Sequence, residues 1–220
     1  MSRRAWILIT VPVVLLLGLV LGPLGYAALR DDAAPAATVQ AQPEDAELVA
    51  DTDGVWTVGD GSTAGYRVDE VLNGADVTVA GTTDRVTGSV EIDAGALTSA
   101  EVTVDVASIT TDSGRRDAYF RQNIMDVATH PTATFTVGEP VELPELTGTP
   151  VTVPVAGELT VTGRTRSVQV DLSAVRTPEG VDVSGSIPVA FADFGIEPPN
   201  LGFVSVEDRG SIEFLLHLTR

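Results

Sequence analysis

The chain has 220 residues, and its 31 acidic against 13 basic side chains leave a net charge of −18, which excludes nucleic acid as a partner and disfavours adsorption onto anionic headgroups. It contains no cysteine, so disulfides, thiolate metal sites, a cysteine nucleophile and a lipid-modified Cys anchor are excluded together. Once an N-terminal segment is set aside, the length suits one domain with a real hydrophobic core.

After Arg3 and Arg4, the stretch from Ala5 to Leu29 carries no charge and has Trp6 and Tyr26 near its ends. A bilayer span needs roughly 20 apolar residues, whereas the core of a cleaved signal peptide has about 7 to 15. Residues 1–29 are therefore expected to form an N-terminal transmembrane helix, an uncleaved signal anchor. Pro12, Gly18, Gly22 and Pro23 weaken such a helix and Ala-rich sites follow it, so secretion after cleavage is the alternative. In both cases Arg3 and Arg4 hold the short N-terminus inside and the remainder is exported. The anchored form is a single-pass protein of the cell membrane with an extracytoplasmic C-terminal domain.

Residues 30–53 are rich in Ala, Pro, Gln and acids and lack aromatics. They read as a solvated tether, kept extended by like charges. The folded domain is then expected over residues 54–220.

From Trp56 onward apolar residues recur with period two, the mark of strands with one buried face. Val151, Val153, Val155, Gly157, Leu159 and Val161 share one side, and so do Ile212, Phe214, Leu216 and Leu218. Tyr66 and Val68, Val77 and Val79, Val102, Val104 and Val106, and Phe135 and Val137 agree with them. About eight strands result, joined by short turns such as Gly163-Arg164. One stretch, Ser113 to Met125, reads as a helix with Phe120 and Ile124 on one face. Asp112 with Arg116 and Asp117 with Arg121 stand four apart in the order that supports a helix. Periodicity alone does not choose between a barrel and a sandwich, although a barrel lined by medium aliphatics keeps room for one slim apolar ligand.

Arg115, Arg116 and Arg121 concentrate positive charge in an acidic domain, as a phosphate or other polar headgroup would require. The same arginines equally suit ion pairs with Asp112, Asp117 or Asp126 that only brace the helix. Arg166 could add charge to the same end, although a lone hairpin Arg is more often only solvated. Trp56 and Tyr119 suit stacking on a ligand, but aromatics mostly serve cores, which favours Trp56 as a plug at the start of the barrel and Tyr119 packed under the helix. His130 and His217 are too few for a metal site, and His217 falls on the outer parity. No nucleophile elbow accompanies any Ser, His or Asp, and Gly157 and Gly163 bracket a strand rather than a phosphate loop. Neither an enzymatic activity nor a cofactor is expected.

The stretch SITTDSGRRDAYFRQNIMDVATHPTATF, Ser108 to Phe135, resembles the signature of the YceI family of lipocalin-like, polyisoprenoid-binding proteins. Ser108, Ile109, Thr111, Arg116, Asp117, Asp126, Pro131 and Phe135 carry that resemblance. GELTVTG, Gly157 to Gly163, followed by Arg166, is similar to a second hallmark, and Asp193-Phe194-Gly195-Ile196 to a third. The resemblance covers Trp56 to about Leu218. It departs at Ile124 and Met125, where the family commonly has aromatics, and at Phe191, where a basic residue often stands. It implies an all-β fold, an extended antiparallel lipocalin-like β-barrel of about eight strands with one short helix, holding a long-chain isoprenoid lipid. Either a polyprenyl phosphate or an isoprenoid quinone fits that class. On this reading Val104, Val106, Phe135, Leu159, Val161 and Phe191 contact the chain of the lipid, and Arg116, Tyr119, Phe120 and Arg121 lie at its head. A cell-surface structural or adhesion-type β-sandwich without a small ligand is the alternative.

Overall fold

The computed structural model describes residues 33–72, 74–200, 202 and 204–220. The expected anchor over residues 1–29 lies outside the described residues, among which no helix is long and apolar enough to cross a membrane. Strands β1 (Gly54–Val58), β2 (Thr63–Leu72), β3 (Ala75–Thr83), β4 (Val86–Asp93) and β5 (Ala96–Asp105) come first. Helix α1 (Gly114–Tyr119) runs directly into a π-helical turn (Phe120–Ile124). Strands β6 (Thr132–Val137), β7 (Val141–Glu142), β8 (Val151–Val161), β9 (Arg164–Arg176), β10 (Gly180–Ala190) and β11 (Val204–Thr219) complete the domain.

Pairing reduces these pieces to an eight-strand antiparallel barrel. Gly54 faces Ile92 and Thr57 faces Ser89, while Ala64 faces Thr83 and Leu72 faces Ala75, in nearly the same register. Thus β1 and β2 are halves of one bent strand, and β3 and β4 are halves of the next; β7 is a short ladder on β5. The 16 residues of β11 close the ring. One edge pairs with β10 from Gly180↔Thr219 to Ala190↔Arg209. The other pairs with β2 as far as Leu215↔Thr63 and then with β1 at Leu218↔Val58. That closure decides for the barrel against the sandwich.

The period-two faces fall as the sequence suggests, with Val153, Val155, Leu159 and Val161 buried and Thr152 and Pro154 exposed. Two hairpins turn on two residues with positive φ, Ala94-Gly95 and Thr162-Gly163, the left-handed pair whose twist matches the flanking strands. Trp56 is fully buried at the end of the barrel away from α1, where its Nε1–H donates to the Thr52 carbonyl at 2.8 Å and the Arg220 guanidinium lies 4.5 Å from its ring. It is the expected plug.

Residues 33–53 do not stand clear of the domain as a solvated tether would. Their backbone docks along the outer wall: Ala33 N–H donates to Thr78 O (3.1 Å), Val39 N–H to Ser184 Oγ (3.2 Å), Gln42 N–H to Gly148 O (2.7 Å) and Val49 N–H to Thr177 O (2.9 Å). Val39 is buried by the contact. Composition misleads here because peptide N–H groups bind alike in every residue type and must be satisfied somewhere.

Substituting Val153 with Asp should bury an unpaired carboxylate inside the barrel and cost about 3 kcal/mol or more. Thr152→Asp, one residue away on the wet face, should melt within a few degrees of the parent. Equal melting temperatures for the two variants would refute the assigned faces.

Candidate functional site

Two adjoining cavities occupy the barrel. The inner one, of about 120 Å³, is walled by strands from both sides of the ring, and of its lining side chains only Thr134 carries a polar atom. The outer one, of about 620 Å³, opens between the β2–β3 hairpin, α1 with its π turn, and the Phe191–Phe194 turn. Ala64, Val104, Ala133 and Ile212 line both, so the two adjoin across these side chains.

The interior stays open because aromatic rings lie flat against glycines instead of pointing across it. A Cβ at Gly157, Gly185 or Gly81 would stand 2.5, 2.6 and 2.6 Å from the rings of Phe135, Phe214 and Tyr66 respectively, closer than such atoms ever approach. Phe214 and Gly185 are direct cross-strand partners, as are Tyr66 and Gly81. Each missing side chain therefore becomes space for a ring, and each ring laid down leaves the lumen clear.

The mouth is fixed by hydrogen bonds among the residues singled out in the sequence. Asp117, only 6% exposed, accepts from Thr111 N–H at 2.9 Å and from Thr111 Oγ at 2.7 Å. It turns into the protein rather than toward Arg121, so the expected pair between those two does not form. Ser108 joins Thr83 through their hydroxyls at 2.6 Å and donates to Asp105 O, pinning the bend between β3 and β4. Asp126, at φ 43°, ends the π turn, and its carbonyl accepts from Thr129 and His130. Thr162 donates to the Phe194 carbonyl, and the His130 ring packs on Gly163, so all three motifs meet at this end.

Within the mouth, Arg116 lies between two carboxylates. It pairs with Asp112, as the spacing suggests, and its Nη2 is 3.5 Å from Glu70 Oε1. Glu70 is 7% exposed and lines the outer cavity, a residue the sequence reading passed over although it shares parity with Tyr66 and Val68. Tyr66 stacks on Phe120 with centroids 4.9 Å apart, and burial pushes its phenol up to about 12, the nearby Arg116 charge opposing this only in part. Arg115 also lines the mouth and makes no hydrogen bond or ion pair among the described residues.

Of the residues expected to meet a ligand, Arg116, Tyr119, Phe120, Val106, Val161 and Phe191 line the outer cavity, Phe135 and Leu159 the inner, and Val104 both. Arg121 lines neither. Tyr119 is 40% exposed at the rim rather than packed under the helix. Ile124, Met125 and Phe191, where the family pattern is not kept, add apolar wall to the outer cavity. His217 sits on the outer face beside Asp182, 2.8 Å from its carboxylate, and among the described residues no cluster of three possible metal ligands occurs.

The pattern of the YceI-like domain matches residues 56–218. The chain belongs to the YceI family. Among solved structures, a polyisoprenoid binding domain from Saccharophagus degradans, implicated in plant cell wall breakdown, superposes with a TM-score of 0.60 at 18% identity, covering 75% of this chain and 97% of that one. BcnA of Burkholderia cenocepacia superposes with a TM-score of 0.59 at 21% identity, covering 72% and 96%. At these identities the likeness establishes the fold. Among curated proteins none matches the chain.

The raised phenol of Tyr66 has a signature in alkali. The unfolded state releases this proton near pH 10 and the folded state near pH 12, so the contribution to stability is complete below pH 10 and is lost as pH rises from 10 to 12. Tyr66→Phe should therefore lose less melting temperature than the parent across that window; parallel losses would show that Tyr66 ionises freely in the fold.

Proposed function

We propose that this YceI-family protein is a binding and carrier protein, not an enzyme, for a long-chain isoprenoid lipid, held to the cell membrane by residues 1–29 with its barrel on the extracytoplasmic side. The observation that carries the reading is the inner cavity, an apolar void with one polar side chain in its wall. Such a space stays dry and gains by filling: each methylene taken from water contributes about 0.8 kcal/mol, and no polar group has to be matched along the way. The name of the Saccharophagus degradans domain points to the same ligand class.

The head of the lipid is best accommodated if it is uncharged, as in a quinone ring or a prenol. Glu70 already pairs with Arg116, as does Asp112, and a phosphate drawn to Arg115 would share the cavity with the buried Glu70 carboxylate. Like charges at short range in a poorly screened site repel by more than any exposed pair attracts. Tyr66 and Arg116 still offer N–H and O–H donors to a carbonyl or hydroxyl oxygen.

Titration of the delipidated protein with a prenol and with the matching prenyl phosphate tests both parts. The prenol should bind saturably and at least as tightly as the phosphate, and Glu70→Gln should tighten phosphate binding roughly tenfold while leaving the prenol within a few fold. Val104→Trp, at the neck shared by the two cavities, should abolish binding of either with little loss of stability. A folded, empty protein that bound no isoprenoid would end the carrier reading.

A further inference from the structure

The docked N-terminal segment has a direction. Its first described contact is Ala33 beside Thr78, on the outer wall of the β2–β3 hairpin whose inner side lines the outer cavity, and there Arg67 also donates to the Ala34 carbonyl at 2.6 Å. From there it descends past Ser184 and Gly148 to Thr177 and reaches the closed end, where Asp53 accepts from Gly95 N–H at 3.1 Å and Trp56 enters the barrel. The chain could have risen straight from a membrane into β1 at the closed end. It instead travels the length of the barrel first.

That route fixes which end lies near the apolar run. Four residue steps separate Leu29 from Ala33, a reach of about 14 Å at full extension, and the closed end lies a further twenty residues along the docked strap. We propose that the mouth of the barrel faces the bilayer in which the chain is anchored, so that lipid passes between membrane and cavity at that surface. The inference rests on the anchored reading of residues 1–29.

A second observation agrees with it. Of the three large apolar side chains exposed among the described residues, Val71 at the tip of the β2–β3 hairpin and Tyr119 beside the opening, each 40% exposed, belong to this rim, while Val55, 59% exposed, is on β1 toward the closed end. Tyr at such a position suits the headgroup layer, with its ring in the apolar boundary and its hydroxyl in water. The overall charge of −18 gives the free domain no reason to adsorb on an anionic surface, so the covalent tether and docked strap, rather than attraction, would set the orientation.

The absence of cysteine makes the test clean, since a single introduced thiol takes a single dye. Full-length Val71→Cys and Glu179→Cys proteins, labelled with a donor, are placed in phosphatidylcholine vesicles containing a headgroup-labelled acceptor lipid. Energy transfer at Val71 should exceed that at Glu179, on the turn at the closed end, severalfold; Asp76→Cys and Asp93→Cys should repeat the contrast. Equal transfer at both ends, or stronger transfer at Glu179, overturns the orientation. Full-length protein that fails to float with the vesicles overturns both the anchor and the inference. Transfer biased to Val71 in protein that takes up no prenol supports the orientation and counts against the carrier reading alone.

Discussion

The double pairing of β11 is the constraint on which the rest depends. A curled sheet with one unpaired seam would expose a row of N–H and C=O groups and would collapse onto its own side chains. Because β11 gives one edge to β10 and divides the other between β2 and β1, the sheet has a circumference fixed by hydrogen bonds. The interior is then a volume to be filled or left empty. Val, Leu and Ile reach only part of the way across, and the rings of Phe135, Phe214 and Tyr66 fold back onto Gly157, Gly185 and Gly81. The void follows from closure together with this placement of glycines, not from flexibility.

At the mouth the same logic runs through polar groups. The motif residues that mark the family serve geometry: Asp117 holds Thr111, Ser108 holds Thr83, and Thr162 holds the turn at Phe194. Each bond fastens a loop to the end of a strand, where the barrel ladder no longer supplies partners. The π turn has a part in this as well, since its longer loop, closed by Met125 N–H on Phe120 O, accommodates both Phe120 and Ile124 at the cavity wall. A signature of this kind identifies the fold and the opening without naming what enters.

Strand parity made much of the fold legible, because period two is imposed by the pleat wherever one face is dry. It also contained Glu70, the single acid in the inward series of Ala64, Tyr66, Val68 and Leu72, which composition-minded reading passes over. The arginine cluster was visible as charge but not as geometry. Spacing of four predicts Asp112 with Arg116 correctly and Asp117 with Arg121 wrongly, since the second pair assumes a regular helix whose acid faces solvent, and here Asp117 is buried and the helix gives way to a π turn. The docking of residues 33–53 left no trace in composition, being made mainly by peptide groups.

The energetics of lipid uptake turn on the reference state. From water, every buried methylene favours the cavity by about 0.8 kcal/mol, but an isoprenoid in a bilayer is already out of water and gains little more on entering an apolar barrel. If the cavity takes such a lipid, equilibrium between membrane and cavity would be set by packing against the wall and by the few polar groups at Tyr66, Glu70 and Arg116. Rate is a different matter, because a chain crossing open water must expose those methylenes one after another and meets the full cost as a barrier. A mouth held against the bilayer removes that barrier without changing the equilibrium. A wide outer chamber beside a narrow inner one would suit such transfer, since the head and first units could leave the membrane before the rest of the chain is drawn in.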